Sequence, residues 1–401
     1  MEAWKRVRAN QGAAGVDGES VAAFEADLAG NLFKLWNRLS SGSYFPPPVR
    51  AVEIPKRAAG GVRVLGVPTV ADRVAQTAVR LVLEPKVEPL FHPDSYGYRP
   101  GRSALDAVAV CRERCWRADW VIDLDIRAFF DSIDHDRLLA AVAKHTDQRW
   151  VLLYVQRWLT APLQREDGTL VARDRGSPQG SAISPLLANI FLHYVFDAWL
   201  ARTYPAVRFE RYCDDVVVHA TSEEQARTLL AAIRVRLAEC GLDLNEAKTQ
   251  IVYCQDDRRG GPRGPHRFDF LGYTFRPRTV ASRTGKPFVG FTPAVSDEAG
   301  KRMRRQVRRW RIHRRTTWTL SDLAQQINPV TRGWIGYYGR FHPSRLIPTL
   351  RRVDDYLARH LMAKHKRLRG HLGRAYQVLH RIARQQPDLF AHWRLVRPAA
   401  R

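Results

Sequence analysis

FERYCDDVVVHA, residues 209–220, is the stretch on which the fold turns. Two apolar runs rich in strand-forming residues flank a polar tip at Cys213, Asp214 and Asp215. This is the pattern of a hairpin with buried legs and a carboxylate-bearing turn. A pair of aspartates in a surface turn is ordinary, since Asp readily bonds to its own backbone there. The apolar setting adds a second reading, because carboxylates near a core are costly unless paired or bound to a cation. A second apolar run, WVIDLDI (120–126), also ends in acids, Asp123 and Asp125. Two strands that bring Asp125 to Asp214, with Asp215 alongside, would supply the hard oxygen ligands of a two-ion phosphoryl-transfer site.

The flanking sequence adds two elements. DIRAFFDSIDHD (125–136) puts Phe129 and Phe130 just after Asp125. An aromatic ring there can pack under a nucleotide sugar and exclude a 2′-hydroxyl; burial in the core is the alternative for both rings. RGSPQGSAISP (175–185) is a loop in which Gly176 and Gly180 permit close approach of backbone to a substrate, and Gln179 offers an amide beside them. A long buried helix is expected over 184–204, opening with Ser-Pro. A capped helix is expected over 222–241, and another over 103–118 from Ser103. Residues 44–69 read as extended segments around a Gly-Gly turn, and 70–91 as a helix broken near Pro85 and Pro89. The order is therefore α+β from about 44 to 290, then an all-helical basic tail. GxGxxG and GxxxxGK[ST] are absent, which argues against a Rossmann or P-loop enzyme.

The 401 residues allow two or three domains. Lys and Arg number 65 against 40 acidic residues, a formal charge of +25. Such an excess repels itself, and a polyanion relieves it. Nucleic acid is the expected partner, because each neutralised phosphate releases counterions. The run KRMRRQVRRWRIHRR (301–315) concentrates this charge, and Arg304, Arg305, Arg308 and Arg309 are its candidate backbone contacts. No apolar run approaches the roughly 20 residues of a membrane span. The first residues, MEAWKRVRANQG, lack the apolar core of a secretory signal. A cytoplasmic protein, free of membrane and associated with nucleoid or ribonucleoprotein, is expected. The five cysteines form no disulfide framework, and Cys111 and Cys115 lack the partners of a zinc site.

In this order the blocks resemble the reverse transcriptases encoded by bacterial group II introns. IPK (54–56) with RVLGVPTVADRVAQ (63–76) is similar to their fingers block, and SYGYRPGRSALDAV (95–108) to the next. VIDLDIRAFFDSIDH, RGSPQGSAISPLLANIFLH and RYCDDVVV resemble the catalytic and template blocks. GLDLNEAKTQIV (241–252) and FDFLGYTF (268–275) resemble those that close the palm. The resemblance implies a right-hand polymerase. Fingers and palm with an antiparallel palm sheet would occupy 1–290, and an all-α basic thumb or maturase domain 291–401. It implies that Asp125, Asp214 and Asp215 bind two Mg²⁺ ions, with Mn²⁺ as a substitute, and that Asp123 precedes them without being a ligand. Lys56 and Arg63 would hold the triphosphate, Phe130 would exclude ribonucleotides, and Gln179 would lie near the nascent base pair. Lys248 would protonate the leaving pyrophosphate, a solvated helix-end lysine being the alternative. INPVTRGWIGYYGRFHP (327–343) resembles the maturase region. Its Trp334, Tyr337 and Tyr338 are read as packing a helical bundle, with stacking on bases as the alternative.

Three departures from the family pattern stand out. Cys213 occupies a position where Ala is usual, the N-terminal extension is expected to be short or absent, and no endonuclease module is expected after RPAAR. The implied partners are an RNA template, above all intron RNA, a DNA primer or target, and dNTPs, on a monomer or dimer. The leading expectation is an RNA-directed DNA polymerase that also assists splicing and mobility of its intron. A reverse transcriptase of a defence or CRISPR-associated system is the second reading. A catalytically idle RNA-binding splicing factor is the third, and the complete aspartate set argues against it.

Overall fold

The computed structural model describes residues 1–55, 62–260, 264–282 and 284–396. The chain falls into two compact units, Met1–Arg114 with Trp120–Ile251, and Cys115–Asp119 with Val252–Arg401. This division by contacts lies earlier than the functional one expected near residue 290, because the strands of 268–295 pack with the helices that follow them.

In the first unit, β1 (Val49–Pro55) and β2 (Val62–Val67) form an antiparallel pair that sets Arg63 opposite Ile54. Residues 56–61 between them, Lys56 included, lie outside the described residues. Helix α1 (Val70–Val87) starts at a Thr69 cap that accepts from the Asp72 amide. The expected break near Pro85 does not occur: the helix continues to Val87 and only then tightens into a 3-10 turn, Glu88–Leu90. Pro85 sits in the last turn, where its missing N–H forfeits a single bond. Val79, Leu83 and Val87, all buried on one face, hold the helix through it.

β3 (Trp120–Asp125) begins the palm sheet, and every residue up to Ile122 in it is buried. Helix α2 (Ser184–Leu192) leads into a π-helical turn, His193–Asp197, and a last segment, Ala198–Thr203; together they fill the expected long helix. β4 (Arg208–Tyr212) and β5 (Asp215–Ala220) are the predicted hairpin legs. The sheet order is β4-β5-β3-β6, with β6 (Gln250–Tyr253) the strand in which the chain passes from the first unit to the second. β4, β5 and β3 pair antiparallel, as expected for the palm.

The second unit holds β7 (Phe268–Phe270), β8 (Tyr273–Ala281) and β9 (Pro287–Val295), antiparallel in the order β9-β8-β7. Helices α3 (Asp297–Arg309), α4 (Leu320–Tyr338) and α5 (Ile347–Lys364) follow. Val307, Leu323, Ile327, Val353, Leu357 and Trp393 share one core. Trp334 stacks on Trp310 with centroids 5.6 Å apart, and the Tyr337 hydroxyl donates to the Leu271 carbonyl at 2.8 Å. The Tyr338 hydroxyl lies against Gly272. Trp334 and Tyr338 pack against the helical cores, as the sequence reading preferred, whereas Tyr337 packs on the β7–β8 turn and Tyr273. No helix among the described residues is long and apolar enough to cross a membrane.

Candidate active site

Strand pairing brings the acids together. In the β3–β5 ladder Asp125 faces Asp215, and Tyr212 faces Asp215 across the hairpin, so Cys213 and Asp214 alone form its tip. The segment 243–249 is laced to the end of β3: Asn245 N–H donates to the Asp125 carbonyl and Arg127 N–H to that of Asp243, both at 2.8 Å. This lacing delivers Lys248, whose Nζ lies 3.1 and 3.2 Å from the two Asp125 carboxylate oxygens. Surrounding protein, and then the Asp214 and Asp125 carboxylates, push the Asp215 pKa up to about 7; Lys248 and Arg63 oppose the shift. Solvent still reaches the Asp215 side chain, so like-charge repulsion is the firmer part of the shift. Hard oxygen donors crowded against one another, open to water and only partly offset by Lys248 and Arg63, are a donor set that fits divalent cations. Asp123 lies two residues back along β3 and accepts from the Gln250 amide at 3.0 Å.

The tip is fixed from within. Arg211, the residue before Tyr212, is completely buried with Asp197, and the two form a bidentate pair at 2.7 and 2.6 Å. Its remaining nitrogen, Nη1, donates to Asn189 Oδ1 at 3.0 Å and to the Cys213 carbonyl at 3.1 Å. The guanidinium thus ties the tip's own backbone to α2 and to the π-helical turn that presents Asp197. Cys213 has φ 60°, a left-handed conformation uncommon for any residue but Gly. A second set of potential ligands, Cys111, Glu210 and His219, is also buried. There Glu210 is already held by Arg114 at 2.6 Å and His219 at 2.7 Å, which makes it a structural ion-pair network.

The turn after β3 separates the two phenylalanines. Phe129 is buried, as its core reading required, whereas Phe130 is half exposed with its ring 5.3 Å from that of Phe129. The 175–180 loop is pinned to this turn. Ser177 N–H donates to the Phe130 carbonyl and Gly176 N–H to that of Ile133, each at 2.7 Å. His135 Nε2 donates to the Gly176 carbonyl at 2.7 Å. The expectation that Gly176 and Gly180 make room for a substrate is corrected: a Cβ would stand 2.9 Å from the Asp131 carbonyl oxygen at Gly176 and 2.7 Å from that of Gly66 at Gly180. The close approach is to the protein's own chain. Gly66 N–H donates to the carbonyl of Gln179 at 2.8 Å, which docks β2, and with it exposed Arg63, on the loop. Buried Gln76 accepts from Ser181 Oγ at 2.7 Å and Ala182 N–H at 2.9 Å.

Asp125, Asp214, Asp215 and Lys248 are therefore together at the sheet's end, with Arg63, Phe130 and Gln179 on elements bonded to one another. Gln76, His135, Asn189, Asp197 and Arg211 were missed by the sequence reading. For Asp197 the signal was present: it is a charge inside an apolar run, as the catalytic candidates are. In the second unit, α3 buries Ala299, Met303 and Val307 and leaves Arg304, Arg305, Arg308 and Arg309 exposed. Lys301, Arg304, Arg305 and Arg308 line a groove whose other wall carries Arg352 and Tyr356 of α5.

Residues 54–275 match the family model described as reverse transcriptase (RNA-dependent DNA polymerase), and 300–376 match the group II intron maturase-specific domain. Protein YkfC of Escherichia coli is 34% identical over 60% of this chain and 73% of its own length. Group II intron-encoded protein LtrA of Lactococcus lactis is 33% identical over 48% of this chain. The matched region spans 32% of the length of LtrA. Among solved structures, telomerase from Candida albicans aligns over 94% of this chain and 68% of its own, at 12% identity and a TM-score of 0.49.

The buried pair yields a stability prediction. Asp197→Ala strands the Arg211 charge and should cost about 3–5 kcal/mol in urea denaturation. The paired variant Asp197→Leu/Arg211→Met, apolar and of similar volume, should recover most of that loss. A single-variant cost under about 1 kcal/mol would place the pair among weak, solvated contacts.

Proposed function

The chain belongs to the reverse transcriptase family, and from that premise we propose that it extends a DNA primer on an RNA template with Asp125, Asp214 and Asp215 as ligands for two magnesium ions. One observation carries the reading: antiparallel pairing sets Asp125 against Asp215, with Asp214 in the adjoining tip. The raised Asp215 pKa supports it, since a site that resists its own negative charge favours cations. Divalent cations, when bound, supply the charge that clamps the attacking and leaving oxygens of an in-line displacement. The chain's own groups do the rest. Phe130, half exposed beside Asp125, packs under the sugar of the incoming nucleotide and leaves no room for a 2′-hydroxyl. Arg63, with Lys56, grips the triphosphate through forked and point-charge contacts. Gln179 faces the nascent base pair. Lys248, paired with Asp125 in the resting protein, donates the proton that the departing pyrophosphate takes up.

In the second unit the groove between α3 and α5 follows a phosphate backbone, with Arg304, Arg305 and Arg308 on one wall, Arg352 on the other, and Arg309 beside them. The maturase-specific match over 300–376 supports a further role in splicing and mobility of a group II intron, with intron RNA as the bound template in the cytoplasm. On this reading fingers and palm end near residue 290, and the thumb or maturase domain begins there.

Purified chain, an oligonucleotide-primed RNA template, Mg²⁺ and dNTPs should yield cDNA. Asp214→Ala should abolish extension while RNA affinity stays within a few-fold; normal synthesis by this variant would refute the assigned site. Phe130→Ala should incorporate ribonucleotides more readily, and unchanged discrimination would remove Phe130 from its role. Replacing Arg304, Arg305, Arg308 and Arg352 with Gln should weaken RNA binding and shallow its log–log salt slope by about 0.7–0.9 for each phosphate no longer neutralised. An unaltered slope would mean that the groove faces only water.

A further inference from the structure

Phosphate contacts alone do not tell RNA from DNA, because both backbones carry the same charge. The groove between α3 and α5 holds one group of a different kind. On α3, Lys301, Arg304, Arg305 and Arg308 fall at i, i+3, i+4 and i+7, a single helical stripe apart from buried Met303 and Val307. On α5, Arg352 and Tyr356 stand one turn apart and line the same groove. The two carboxylates that precede Tyr356 in sequence are engaged elsewhere. Asp354 accepts from His392 Nε2 at 3.0 Å and Trp393 Nε1 at 2.8 Å, and Asp355 accepts from the Tyr376 hydroxyl. The hollow, about 390 Å³, is therefore lined by five cations and one phenol, with no carboxylate.

Tyr356 is half-buried and held in place. The His313 ring lies 5.5 Å from its own at 38°, and the Arg359 guanidinium lies 5.5 Å from its centroid. The turn that carries His313, Ile312–Arg314, is tied to α5, where His360 Nδ1 donates to the Ile312 carbonyl at 3.3 Å. Yet the Tyr356 hydroxyl makes no hydrogen bond among the described residues. Tyrosines that serve the architecture of this unit use theirs: Tyr273 donates to the Tyr337 carbonyl, Tyr337 to the Leu271 carbonyl and Tyr376 to Asp355. A fixed phenol with an unspent hydroxyl, set among phosphate-binding cations, is placed to bond what the cations hold.

We propose that the Tyr356 hydroxyl reads the ribose 2′-hydroxyl of the strand held in this groove, so that the second unit retains RNA in preference to DNA. The inference rests on the reading of the groove as a phosphate track. A 2′-hydroxyl both donates and accepts, and it marks RNA against DNA. It stands on the sugar carbon beside the one that bears the 3′-phosphate, within reach of a group that lies among cations gripping that phosphate. Synthesis of DNA on RNA yields two strands of like charge. The cations hold either, and the phenol favours the RNA.

The test measures equilibrium binding of the full chain to single strands of one sequence, made as RNA, DNA and 2′-fluoro RNA. The fluoro strand keeps the sugar pucker of RNA and lacks the hydroxyl. Tyr356→Phe should lose roughly five-fold in affinity for RNA, in line with one neutral hydrogen bond, and nothing for the other two strands. Removal of the phenol oxygen and of the 2′-oxygen should therefore not add. The variant's log–log salt slope should match the wild type, because no phosphate contact is lost. Its melting temperature should be unchanged, because the hydroxyl bonds nothing in the protein. Wild-type affinity for RNA in Tyr356→Phe would dismiss the contact. An equal loss on all three strands would make Tyr356 a backbone contact, and a loss that follows base sequence would assign the hydroxyl to a base edge; either overturns the ribose reading. A lower melting temperature with binding lost on every strand would make Tyr356 structural. The glutamine variant of Arg304, Arg305, Arg308 and Arg352 tests the phosphate track separately. If that variant keeps the wild-type slope while Tyr356→Phe still loses affinity for RNA alone, the track fails and the ribose contact stands.

Discussion

Carboxylates do not gather unaided, and the first unit is arranged around holding three of them within reach of one another. The elevated proton affinity of Asp215 reflects the resistance. Two exposed cations oppose it, and a third, buried one holds the backbone of the tip instead. Lys248 and Arg63 are exposed at the solvent side, so each can yield its place to a cation or a phosphate. Arg211 is sealed in with Asp197 and donates through Nη1 to the Cys213 carbonyl. A buried pair of this sort contributes little net stability compared with an apolar pair. Its value lies in fixing a hairpin tip that repulsion would otherwise splay.

The same physical signal explains what the sequence disclosed and what it withheld. Asp125, Asp214 and Asp215 were legible because charge inside strand-like apolar runs demands a reason. Asp197, in IFLHYVFDAWL, carries that signal too. Its reason is Arg211, and a partner reached only through the fold cannot be named from spacing. Phe129 and Phe130 were ambiguous because periodicity fails where a strand ends. The left-handed Ala128 (φ 45°) at the start of the turn decides which ring goes inside. Gly176 and Gly180 were misread for a related reason: a glycine announces a close approach without saying to what. Pro85 misled because its penalty depends on position, and in a last turn it is small.

The second unit was read more easily, since its information is local. The α3 sequence alternates buried Ala299, Met303 and Val307 with arginines at helical period, so core face and charged face follow from the chain itself. Tyr337 and Tyr338 read as packing for the same reason: they fall in a helix beside other apolar residues. What could not be read was the opposite wall of the groove. Arg352 and Tyr356 belong to α5, and only tertiary packing lays that helix along α3. An isolated basic helix attracts phosphate weakly from one side; a two-walled groove sets cations on both sides of a strand.

Backbone strain is distributed unevenly. Of the described non-glycine residues with left-handed φ, Ala128, Cys213 and Tyr98 all adjoin the carboxylates. Each costs about 1–3 kcal/mol if nothing compensates, so three in one neighbourhood would loosen an ordinary hairpin. They are held by contacts that are either buried or main-chain: Arg211 on Cys213, Asn189 on Gly97, and Ser177 on Phe130. Such contacts do not exchange with solvent or salt, which means that the site's geometry is set before any substrate arrives. Pre-set dipoles and ligands stabilise a transition state without reorganising at the moment of reaction. A polymerase meets a different base pair at every step, and a carboxylate end fixed by the protein's own buried contacts answers that demand better than a site that reshapes itself around each substrate.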